Sequence, residues 1–163
     1  MCIRDRIYPF GLFLERRYDD SITRARKILE LDENFAAAYL ILSFAFHMKG
    51  DLDACTENYC RFLEIFGLTQ IAAKARAGFQ DSGWKGFLQA MTEADVRETV
   101  TSYISAVYFT ALGDKDKAIE CLEGSLEKRE GHIVMLNVDP RFDFIRSDPR
   151  FQRIIKKVGF PSL

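Results

Sequence analysis

The side chains best suited to chemistry in this chain are two histidines, His47 and His132, and four cysteines, Cys2, Cys55, Cys60 and Cys121. A zinc site needs thiolates and imidazoles at short, regular spacing, and here no cysteine forms a C-x-x-C pair or stands near a histidine. Cys55 and Cys60 are five apart, about 140° around a helix axis, so one ion cannot take both. Free thiols in a reducing cytoplasm are the expected state. The motifs G-x-S-x-G, H-E-x-x-H, G-x-x-x-x-G-K-[ST] and G-x-G-x-x-G do not occur, which leaves nucleophilic, zinc-hydrolytic and phosphate-cradling chemistry without support. The carboxylate pairs Asp19-Asp20 and Asp51/Asp53 fall at expected helix starts, where negative charge complements the dipole. The expectation is a protein that is not an enzyme, with no catalytic residue, metal or cofactor.

Charge and hydropathy narrow the partners. A net charge of -1, with both signs mixed along the chain, gives no field to steer nucleic acid. Arg24, Arg26 and Lys27, and Arg150, Arg153, Lys156 and Lys157, are the densest basic groups. The last two belong to an expected final helical turn, where cations meet the dipole, so a solvated face is the expectation. No apolar run approaches the roughly 18 residues a membrane span needs. The most apolar stretch, Phe35 to Met48, is ended by Lys49-Gly50-Asp51.

The elements that would position these residues follow from an internal repeat. Tyr18-Asp19-Asp20-Ser21-Ile22 aligns with Leu52-Asp53-Ala54-Cys55-Thr56, and at the same displacement Ala25, Ile28 and Leu29 meet Tyr59, Phe62 and Leu63. Lys115-Asp116-Lys117-Ala118-Ile119 opens a third copy. Before the second copy's turn, Tyr39, Leu42, Phe46 and Gly50 run at helical spacing, and Phe109 and Gly113 repeat the last two. Glycine ends a helix there in the left-handed conformation, and Asp51 and Asp114 follow as caps. The interval from Gly50 to Gly113 falls a little short of two such displacements, so the unit between is a shortened hairpin with Gly83-Trp84-Lys85-Gly86-Phe87 at its turn. Ile71, Ala72, Ala75 and Phe79 make one of its faces and Phe87, Leu88 and Met91 another. Thr92-Glu93-Ala94-Asp95 reads as a capping box opening the next helix. Near the end, Asp139-Pro140-Arg141-Phe142 recurs as Asp148-Pro149-Arg150-Phe151, each placing a cap before a proline at the first helical position. The second copy opens a helix from Arg150 to Val158, closed by Gly159 and Pro161.

The segment Ala36 to Gly67, with Tyr39, Leu42, Ser43, Phe46, Gly50, Cys55, Tyr59 and Phe62 at signature positions, resembles the tetratricopeptide repeat family. It departs from that pattern where Glu33, Gly67 and Glu130 replace the usual proline and where Ser21 and Cys55 replace alanine. The resemblance implies an all-α fold, antiparallel helical hairpins stacked as a short right-handed solenoid with a C-terminal capping helix. The expected repeats are 7–35, 36–67, an irregular 68–91 and 92–130, followed by a capping segment 131–163. Residues 1–6 fit neither a signal peptide nor a natural helix start, and are expected to be non-native or truncated. The tail from Gly131 resembles the end of bacterial regulators in which such repeats follow a winged-helix, kinase or cyclase domain, so a cytoplasmic regulator fragment is implied.

Such repeats bind a protein or peptide in a concave groove lined by the first helix of each pair. The family's groove positions fall here on Leu40, Phe44, His47, Met48, Tyr103, Val107 and Thr110. Relatives that clamp a C-terminal carboxylate place lysine and asparagine on these helices, because a bound anion needs charge-assisted donors. Ile41 and Phe44 stand where the asparagines would be, so acidic C-terminal peptides are not expected to bind. Three alternatives stay open: packing of Phe44 and Met48 on the irregular third unit or on repeats missing from the N-terminus, a small-ligand sensor with a pocket near Trp84, separable by Trp84 fluorescence, and a homo-oligomerisation module using the same apolar face.

Overall fold

A computed structural model describes residues 3–159, with side chains from Tyr8 onward. All regular structure among these residues is helical. The chain divides into two compact units, one ending at Phe87 and the other beginning at Leu88.

The first unit holds α1 (Ile3–Leu14), α2 (Tyr18–Leu31), α3 (Ala36–Lys49), α4 (Leu52–Ile65) and the first part of α5 (Thr69–Met91). Helix α1 packs on α2 and α3, α2 on α3, and α3 on α4. The displacement that carries Tyr18 onto Leu52, the first residues of α2 and α4, also carries Leu31 onto Ile65, their last, as the sequence repeat requires. The turns agree atom for atom. After α3 the amide of Asp51 donates to the Phe46 carbonyl (3.0 Å) while Gly50 takes φ 78°. After the helix Ser102–Leu112 Asp114 donates to Phe109 (2.9 Å) and Gly113 takes φ 80°. After α1 Arg17 donates to Leu12 (2.9 Å), and the left-handed residue is Arg16, φ 64°. All three are Schellman closures, in which one left-handed residue lets the chain satisfy orphan carbonyls and reverse.

Beyond each turn the small-residue position is buried: Ser21 is 0%, Cys55 3% and Ala118 0% exposed. The polar substitutes there are satisfied. Ser21 donates its hydroxyl to the Pro9 carbonyl (2.8 Å), and the Cys55 sulfur lies 3.4 Å from Ser43 Oγ. Asp51 accepts from the amide of Ala54 and Asp114 from that of Lys117, so both expected caps are in place.

Helix α5 is interrupted at Ser82 (φ -137°) and Gly83 (φ 61°, ψ -146°), where the sequence placed the turn of a shortened hairpin. Ala72 and Ala75 on one side, and Phe87, Leu88 and Met91 on the other, are buried as expected.

The second unit contains α6 (Ala94–Thr99), α7 (Ser102–Leu112), α8 (Lys115–Glu127), two 3-10 turns, η1 (Gly131–Met135) and η2 (Pro140–Ile145), and α9 (Pro149–Val158). Two sequence expectations change here. The capping box at Thr92 does not form: the Thr92 hydroxyl donates back to the Leu88 and Gln89 carbonyls, and the cap position, Glu93, makes no side-chain cap bond. A second start, Thr101, opens α7 by accepting from the Ile104 amide. The carboxylate of Glu130, at the far end of the hairpin, reinforces it by accepting from the amides of Ser102 (2.9 Å) and Tyr103 (3.0 Å). Burial pushes the Glu130 carboxyl up, but these bonds together outweigh it and leave it below its ordinary value.

The two Asp-Pro-Arg-Phe segments fold alike. In each, the aspartate caps the element and accepts from the arginine amide two residues on, at 3.0 Å for Arg141 and 2.8 Å for Arg150. Each arginine then folds its guanidinium back onto the same carboxylate. Phe142 and Phe151 are both 0% exposed, with rings 6.1 Å apart. The motif is thus a helix-starting clamp that drives an aromatic anchor inward. Helix α9 begins at Pro149, one residue before the expected start, and closes at Gly159, φ 82°. The expected stop at Pro161 lies outside the described residues.

Candidate functional site

Helix α3 is apolar nearly all round, so it must be covered on more than one side. Ala38, Ile41, Leu42, Ala45 and Phe46 are buried in the first unit's core. Leu40, Phe44, His47 and Met48 follow one another at i, i+4, i+7 and i+8, a single stripe on another side of the helix. All four remain half-exposed, and Phe44 and Met48 also pack against that same core.

This stripe is flanked by aromatic rings. The Phe44 ring lies 5.7 Å from that of Phe13 on α1, and the His47 imidazole 4.9 Å from the Trp84 indole. Trp84 stacks on Phe87 at 4.7 Å and 9°. Phe87 meets Tyr59 edge-on at 5.9 Å, and Tyr59, Phe62 and Phe66 continue the series at 5.8 and 5.1 Å. Six rings therefore run from the α3 stripe to the end of α4, each pair within the range where aromatic contacts add to area burial. Trp84, expected at a turn, follows the break in α5 directly, and its indole is half-buried against the first unit's core. The available signal was the three-residue spacing of Trp84 and Phe87, which puts both on one helical face.

The groove positions carried over to α7 lie in the interior of the second unit. Tyr103 is 1%, Val107 7% and Thr110 5% exposed. Tyr103 donates its hydroxyl to Asp139 Oδ2 (2.8 Å) and meets the Phe142 ring edge-on at 5.2 Å. Val107 shares a core with Ile133, Leu136, Phe142 and Ile145. Thr110 donates to the Ala106 carbonyl of its own helix (2.8 Å). The reason is apolar burial: the segment Gly131–Ile145 brings its own large side chains onto α7, and a wall expected to be open becomes core.

Under that wall lies a buried ion pair. Asp139 and Arg141 have side chains 0% and 3% exposed, and Arg141 holds the carboxylate through Nε (2.9 Å) and Nη2 (2.6 Å). Burial pushes the Asp139 carboxyl up, yet the Arg141 charge and the converging hydrogen bonds outweigh it and hold it below its ordinary value. Burial, and then the Asp139 charge, raise the Tyr103 phenol. A phenol held protonated and donating to a paired carboxylate is a structural brace.

The thiols are placed as packing groups. Burial pushes Cys55 up to about 12 and Cys60 up to about 11, so neither is a thiolate at neutral pH. Cys60 donates to the Ala72 carbonyl at 3.5 Å, joining α4 to α5. His47 and His132 each pack on an aromatic ring, His132 at 5.9 Å from Tyr103. Among the described residues no three His, Cys, Asp or Glu side chains gather where a metal ion could be held, and no helix is long and apolar enough to cross a membrane. Comparison with protein-family models, curated proteins and solved structures finds no match to this chain.

Proposed function

We propose that this chain is an interaction module of tetratricopeptide type, whose hairpins stack in a right-handed sense and whose α3 face holds a partner polypeptide. The observation that carries the reading is the half-exposed stripe Leu40, Phe44, His47 and Met48. Apolar and aromatic side chains left half-covered in a row on one helix offer anchors of the kind that dominate binding energy at interfaces. Three Schellman turns in register with the sequence repeat support the family reading. The stripe carries no lysine or arginine, so an apolar or aromatic partner segment fits it better than a C-terminal carboxylate. In the second unit Gly131–Ile145 lies on the corresponding helix, which supports a partner held by the first unit.

Selection of a random peptide library on the purified protein tests this. Peptides rich in apolar and aromatic residues should be enriched, and Leu40→Glu should abolish their binding while leaving the helical circular dichroism unchanged. Failure to enrich any sequence, or enriched peptides indifferent to Leu40→Glu, would contradict it.

A further inference from the structure

A second feature of the first unit lies away from the α3 stripe. Between α4 and the first part of α5 is a cleft of about 530 Å³ lined by Asp53, Thr56, Glu57, Arg76, Phe79 and Gln80. The lining residues fall at i, i+3 and i+4 on each helix, so one face of α4 looks across at one face of α5. Its charge is unbalanced toward acid. Arg76 directs Nε (3.1 Å) and Nη2 (2.9 Å) to Glu57 and Nη1 to Glu64, so its three nitrogens are engaged by two carboxylates. Asp53, one helical turn from Glu57, makes no ion pair among the described residues. Thr56 is 4% exposed, and its Oγ1 has no hydrogen-bond partner among the described residues. Two carboxylates, Asp53 and Glu57, thus line the cleft with one guanidinium, an aromatic ring and an amide, while Glu64 lies outside the lining and is shared by Arg76 and Arg61. An anion entering here would meet Asp53 and an already neutralised Arg76; a cation would meet the Asp53 and Glu57 carboxylates beside the Phe79 and Gln80 side chains.

We propose that this cleft binds a primary ammonium group on an aliphatic stem, with Asp53 and Glu57 as its counter-charges and Phe79 packed against the stem. Free diamines and lysine side chains share this chemistry. Nothing in the proposal depends on the α3 face, so the two sites fail independently.

The test is a titration of the ¹⁵N-labelled protein with cadaverine and, separately, with Nα-acetyl-lysine-N-methylamide, followed by amide chemical shifts. Acetate serves as the control of opposite charge. Saturable shifts at Asp53, Thr56, Glu57, Phe79 and Gln80 are expected with at least one amine, and Asp53→Asn should weaken that affinity about threefold, the scale of an exposed ion pair. Binding by the lysine derivative alone would identify a polypeptide side chain, and by cadaverine alone a free polyamine. The proposal is overturned if neither amine saturates these shifts, if Asp53→Asn binds equally well, or if acetate shifts the same amides.

Discussion

Gly86 approaches Gly78 so closely that a β-carbon added to Gly86 would stand 2.0 Å from the Gly78 carbonyl oxygen. The break at Ser82-Gly83 lets α5 fold back on itself, and the absence of a side chain at Gly86 lets the two stretches touch backbone to backbone. The obstructing atom is main chain and cannot swing aside. Gly86→Ala should therefore destabilise the protein by about 2–3 kcal/mol, within the range for overpacking a well-packed site. A urea midpoint equal to that of the wild type would show that this contact does not form.

The Schellman turns predict a gain as well as losses. Arg16 occupies, at φ 64°, the position that Gly50 and Gly113 fill at φ 78° and 80°. A β-carbon in the left-handed region costs about 1–2 kcal/mol, partly offset by the entropy glycine loses on folding. Arg16→Gly is expected to raise stability by about 0.5–1 kcal/mol, and Gly50→Ala to lower it by about 1 kcal/mol. Thermal unfolding of the two variants should shift the midpoint in opposite directions.

Phe46 joins the first unit's core at 9% exposure, with the Arg26 guanidinium 5.7 Å from its ring. Its truncation to alanine leaves a large cavity, and the expected cost is about 3–5 kcal/mol. Chemical denaturation that finds almost no change would mean that the repeat register is wrong.

The twin Asp-Pro-Arg-Phe clamps separate burial from local geometry. Asp139→Asn leaves Arg141 charged and buried, a loss of about 3–5 kcal/mol by the general behaviour of broken buried pairs. Asp148→Asn alters the same local clamp on a surface where Arg150 also reaches Asp116 at 2.7 Å, so the loss should be much smaller. Near-equal losses from the two variants would contradict the buried brace.

The same carboxylates fix the sign of the acid response. Hydrogen bonds from Arg150 hold Asp148 down at about 2, and Asp139 is also held below its ordinary value. A depressed carboxylate contributes stability that is fully present above the unfolded value near 4 and disappears as pH falls through the folded one. Urea midpoints should thus fall between about pH 4 and 2, with a shallower slope in Asp148→Asn. An unchanged slope would remove this carboxylate from the acid transition.

Much of this architecture was legible because it is local. Gly50 and Gly113, the caps Asp51 and Asp114, and both Asp-Pro starts are set within a few residues of themselves, and each is found where spacing placed it. Arg16 escaped notice because composition does not reveal a left-handed arginine imposed by packing on both sides. Thr92 misled because its hydroxyl has a nearer acceptor in the preceding turn than in the following one. Of the carried-over groove positions, those on α3 are half-exposed and those on α7 are buried. What covers Tyr103 comes from a segment well beyond the next helix, and helical periodicity carries no information about such a contact.

Amide chemical-shift mapping of the ¹⁵N-labelled protein with a library-selected peptide tests most directly where a partner sits. Binding on the α3 stripe should shift Leu40, Phe44, His47 and Met48, change the emission of Trp84 through its contact with His47, and leave Tyr103 and Val107 unmoved. Shifts confined to α7, or a bound peptide that leaves every α3 amide in place, would contradict the account.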